Sequence, residues 1–117
     1  MSSELNKVVV FLEKTVSDGL FNDLVFQLNK DLLITNTGKS ISKNCNPILL
    51  VTDLNDIVFS LINDNFDLFL NLLYRIDLSE DKIKNLPKLN QEDYITSISL
   101  LILKRELEKV FFRKKYS

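Results

Sequence analysis

Histidine is missing from this 117-residue chain, so the residues left to do chemistry are carboxylates, arginines, lysines and one cysteine. That absence removes the commonest general base at neutral pH and the commonest metal ligand. The densest reactive stretch is residues 72–80, where Arg75, Asp77 and Glu80 alternate with apolar Tyr74, Ile76 and Leu78. An arginine fork can hold a carboxylate through two bonds. Together with Arg105 and Glu106 these residues form a candidate polar cluster: Arg75, Asp77, Glu80, Arg105 and Glu106. It reads either as a carboxylate–arginine pocket or as a helix–turn–helix joint in which Arg75 pairs with a carboxylate and Ser79 caps the next helix.

The second candidate is a basic surface made of Lys104, Lys109, Arg113, Lys114 and Lys115, interleaved with Phe111, Phe112 and Tyr116. Cationic, aromatic helices bind nucleic acid or anionic membranes. Glu106 and Glu108 dilute the field, which favours a solvated helix end docked on the body of the protein.

Three weaker patterns resolve into ordinary structure. Gly38-Lys39-Ser40 has the last three residues of a phosphate-binding loop, but the first glycine would fall on Leu33 and no strand–loop–helix context surrounds it. Asp53/Asp56 and Asp64/Asp67 stand three apart, at expected helix starts where capping accounts for them. Neither pair joins a Glu-x-x-His motif, so no metal is expected. Cys45 has Lys43 nearby but no base, and reads as a passive thiol. No catalytic residue, cofactor or metal ligand is assigned, and the chain is expected not to be an enzyme.

The elements that would carry these residues are helical. Apolar residues recurring at three- and four-residue spacing predict helices at about 3–18, 20–34, 47–62, 65–76, 79–86 and 91–114. Ser2 or Ser3, Asn46 before Pro47, Ser79 and Asn90 supply N-caps, the three cap-type residues Asn63-Asp64-Asn65 mark a turn and a new start, and Gly19 suits a left-handed helix end. Thr52 or Asp53 offers a second start within 47–62. Residues 20–34 also admit a hairpin turning at Asn29-Lys30, although Leu20, Leu24, Leu28 and Leu32 share one helical face. From 95 to 103 apolar residues project in nearly every direction, which places the last helix at the centre of the bundle. Beyond Lys104 it is expected to project or lie at the surface. The fold class is all-α: one domain over 1–117, a compact bundle of five to six helices with a long, largely buried C-terminal helix.

Composition bounds the function. Apolar residues make up 45% of the chain and net charge is −1, a globular balance with no global field toward nucleic acid. A lone cysteine and an opening Met1-Ser2-Ser3-Glu4 without a signal-like pattern point to the cytoplasm. No run approaches a membrane span. Generous apolar surface then favours a non-enzymatic protein–protein interaction domain, its partner self or other, with a homodimer as one form. Nucleic-acid binding through the basic helix end is the alternative, and an enzyme built on the Arg75 cluster the weaker one.

The stretch Leu72-Leu73-Tyr74-Arg75-Ile76-Asp77-Leu78-Ser79-Glu80 resembles a group of small uncharacterised helical bacterial proteins with a Leu-Leu-Tyr-Arg-Ile-Asp-x-x-Glu core. That group carries a Gln-x-x-Lys-Asp-like stretch earlier and an Arg-Glu-x-x-Lys-Val-like helix later. Gln27-Leu28-Asn29-Lys30-Asp31 and Arg105-Glu106-Leu107-Glu108-Lys109-Val110 are the matching pieces here. The resemblance implies a helical fold and a helix over 20–34; it implies no activity.

Overall fold

Every helix but α2, which follows Leu20 without a side-chain cap, begins where the sequence supplies an acceptor for its first amides. In the computed structural model, which describes residues 2–116, the Ser2 hydroxyl accepts from the Leu5 N–H at 3.1 Å and opens α1 (Ser3–Ser17). Gly19, at φ 75°, turns the chain out of α1. The next segment is a helix, α2 (Phe21–Ile34), and not a hairpin. Its repeat decides the matter: Leu24, Leu28 and Leu32 are all fully buried on one face.

Asn46 accepts from the Leu49 N–H at 3.0 Å and Pro47 takes the first position of α3 (Pro47–Asp64). The helix passes unbroken through Thr52 and Asp53. Thr52 bonds back to the Ile48 carbonyl instead of opening a new segment. Asn65 ends α3 and caps α4 (Phe66–Ile76) by accepting from the Leu68 N–H. Ser79 accepts from the Asp81 N–H to start the short α5 (Glu80–Lys84). Asn90 accepts from the Asp93 N–H at 2.9 Å and opens α6 (Gln91–Tyr116). Among the described residues there is no strand, and no helix is long and apolar enough to cross a membrane.

Helix α6 is the centre of the architecture, packing against α1, α2, α3 and α4. Ile98, Ile102 and Leu103 are fully buried, each such side chain contributing roughly 1.5–3 kcal/mol by leaving water. Three of its polar residues are tied to neighbouring helices. The Ser99 hydroxyl donates to Asn55 Oδ1 at 2.6 Å, Asn55 donates to Thr96 Oγ1 at 2.9 Å, and Ser97 donates to Glu4 at 3.0 Å. These bonds fix how α6 is rotated against α3 and α1. Of the two expectations for the basic half, projecting or lying at the surface, the second holds: most of its side chains are exposed or half-buried while one side is docked. Glu106 and Val110 are fully buried, and α6 stays docked on α2.

The long connection between α2 and α3 is held at its middle. Asn29 of α2 accepts from the Ile41 N–H and donates to the Ile41 carbonyl at 2.9 Å, so one amide side chain imitates a strand neighbour. The Ile41 side chain is buried in the main core.

Candidate functional site

Helical spacing places two polar stripes against each other in one seam where α2, α4 and α6 meet. Gln27 and Asp31 stand four apart on α2, and Glu106, Lys109 and Arg113 follow one another on the facing side of α6. Asp31 is fully buried and accepts three charge-assisted or polar bonds. Lys109 Nζ lies 2.7 Å away, Arg75 Nε of α4 3.1 Å, and Gln27 Nε2 3.1 Å. Arg113 then donates to Gln27 Oε1 at 2.8 Å, closing the seam toward solvent.

Glu106 lies beside Asp31, also fully buried, and no donor reaches either of its oxygens. Lys109 Nζ stands off at 3.8 Å. An ionised Glu106 would be a bare buried charge. Burial, and then the neighbouring Asp31, push its pKa from 4.5 up to about 9, against the opposing charges of Lys109 and Arg105. Glu106 is therefore held as a carboxylic acid at neutral pH, beside the Asp31 carboxylate. Burial works to raise the Asp31 pKa as well, but the bonds from Glu106, Lys109 and Gln27 outweigh it and hold the group below its ordinary value.

The polar cluster expected from the sequence divides in space. Arg75 and Glu106 both join Asp31. Arg105 and Asp77 form a separate joint: Arg105 Nε donates to the Ile76 carbonyl at 2.8 Å and its guanidinium meets Asp77 at 3.5 Å and Glu108 at 3.4 Å. This caps the end of α4, where Asp77 adopts the left-handed conformation at φ 61°. Glu80 belongs to neither. It lines an open pocket of about 330 Å³ at the α4–α5 corner with Leu70, Tyr74 and Lys84. Convergence on one open pocket, which an enzyme site would need, is absent, and solvent does not reach Asp31 or Glu106.

The five expected basic residues are not one stripe either. Lys109 and Arg113 turn toward α2, Lys114 pairs with Asp23 at 3.2 Å, Lys115 lies over the Tyr116 ring, and Lys104 is exposed. Lys39 and Ser40 border an open pocket with Asp53 and Asp56, a pair of carboxylates that would repel a phosphate. That aspartate pair sits inside α3 and not at a helix start. At Cys45, burial together with the charge of Asp53 raises the thiol pKa despite a backbone hydrogen bond, which disfavours the reactive thiolate.

Two residues at the heart of the seam escape a reading of the sequence. Gln27 and Asp31 fall among the polar residues of α2, yet Asp31 lies seven residues, about two turns, beyond buried Leu24 and one residue before buried Leu32. A carboxylate inside an apolar arc is the signal that marks a buried partner.

The opposite face of α2 is open. Val25 floors, and Phe26 and Leu33 flank, a groove of about 580 Å³ that also touches Asn22, Lys30 and Lys43. Phe26 is 62% and Leu33 76% exposed. No protein-family model, no curated protein and no solved structure matches the chain.

Proposed function

We propose that the protein is a non-catalytic, cytoplasmic protein-interaction domain that holds its partner against the outer face of α2. The observation that carries this reading is the pairing of Phe26 and Leu33, two large apolar side chains left in water two turns apart on one helix. Apolar surface concentrated on one face marks contact sites, and aromatic residues supply much of their binding energy. The α2–α6 seam behind it supports the reading, because its ion pairs lock the helix that presents the face.

A photo-reactive side chain installed at Leu33 and activated in the native cell tests this. The expected outcome is a discrete covalent adduct with another polypeptide, absent when the same group is placed at exposed Glu13 of α1. An adduct of twice the chain mass would identify a homodimer. Identical patterns from both positions, or none from Leu33, would remove the reading.

A further inference from the structure

We infer that the α2 groove receives an acidic amphipathic helix of another protein, whose apolar side seats against Val25, Phe26 and Leu33 and whose carboxylates meet Lys30, Lys43 and Arg113. This rests on the interaction-domain reading and names the chemistry of the partner.

Shape and charge both lead there. The groove runs along α2 from Asn22 to Leu33, about 16 Å or three helical turns. That length matches a partner helix offering anchors at i, i+3 or i+4, and i+7. Its cations are set on more than one side. Lys30 rises from α2, Lys43 from the loop pinned by Asn29, and the Arg113 guanidinium of α6 lies 5.7 Å from the centre of the Phe26 ring. Among the described residues no carboxylate pairs with Lys30 or Lys43. The acids of α2 are engaged elsewhere, Asp23 with Lys114 and Asp31 with Arg75 and Lys109. An apolar floor with an uncompensated positive rim is complementary to leucines bordered by Glu and Asp.

The same charges disfavour a second copy. A two-fold contact through this face would bring the cationic rims of two copies together, Lys30, Lys43 and Arg113 of each facing a surface of the same sign.

The probe is a synthetic helix with leucines on one face and glutamates on the other, titrated into the isotope-labelled full-length protein and followed by amide NMR shifts. A second peptide carries lysine in place of every glutamate. The acidic peptide is expected to shift amides of α2 and of the loop around Lys43, and to bind more weakly as salt is raised. Lys30→Glu with Lys43→Glu should weaken it about tenfold, and Leu33→Asp should abolish it without disturbing the remaining spectrum. Equal binding of the basic peptide, or no shift on α2 with the acidic one, overturns the proposal. So does dimerisation, or sedimentation with anionic vesicles, that Leu33→Asp removes. If the acidic peptide fails while cross-linking at Leu33 still captures a polypeptide, only the acidic chemistry falls. If Leu33 captures nothing, the interaction reading falls with it.

Discussion

Glu106 lies beside Asp31, both wholly out of solvent, and a proton kept on Glu106 makes that pair compatible with the interior. Arg75 and Lys109 neutralise Asp31, while Glu106 has Lys109 only at 3.8 Å, that ammonium lying 2.7 Å from Asp31.

Stability should therefore fall as pH rises. Glu106 titrates near 4.5 when unfolded and near 9 when folded, so between those values the native state holds the extra proton and deprotonation favours unfolding. The lowered Asp31 acts in the opposite sense: its contribution is complete above its ordinary value of 3.8 and is lost on further acidification. Thermal melts should show greatest stability between about pH 4 and 5, with a decline of up to about 1.4 kcal/mol per pH unit toward pH 9. Glu106→Gln, which keeps an N–H donor for Asp31, should flatten that decline. A variant whose melting profile still parallels the wild type would show that Glu106 is not the group responsible.

Asp31→Asn leaves Arg75 and Lys109 without their counter-charge. Removing one member of a buried pair costs about 3–5 kcal/mol, and the partial exposure of both cations places this change at about 3 kcal/mol. Chemical denaturation at pH 7 measures it. Arg75→Ala should cost less, since Lys109 continues to neutralise Asp31.

Asn29→Ala should release the loop between α2 and α3. Two backbone groups of Ile41 lose their partners, at about 1–3 kcal/mol, and the Ile41 amide should exchange with solvent far faster. Limited proteolysis should then nick the loop while α6 stays protected.

Asp77→Gly should stabilise the protein by about 0.5–1 kcal/mol, because a left-handed backbone is strained for a residue with a side chain and free of strain for glycine. The lost contact with Arg105 offsets little, as the Asp77 side chain is 91% exposed and Arg105 keeps its bond to the Ile76 carbonyl. A lower melting temperature for Asp77→Gly would count against this account.

The helices were legible because their signals are local. Asn46-Pro47, Asn65 and Ser79 each cap the helix that starts at the next residue, and Leu24, Leu28 and Leu32 mark a period. The site was legible only in part. Arg75 stands out as a polar residue in apolar company, and Arg105 and Glu106 join it as candidates, but which of them meet depends on how α4 and α6 are rotated. That rotation sent Arg75 and Glu106 to Asp31, Arg105 to the end of α4, and Glu80 to another corner. Lys109 and Arg113 looked like surface charge for the same reason: a helix sequence shows which residues share a side, and not which side faces a neighbour.

The central position of α6 has a consequence for biosynthesis. Helices α1 to α4 leave the ribosome before the element they pack around. The nascent chain is thus exposed to aggregation until α6 emerges, and the earlier helices complete their packing only with it.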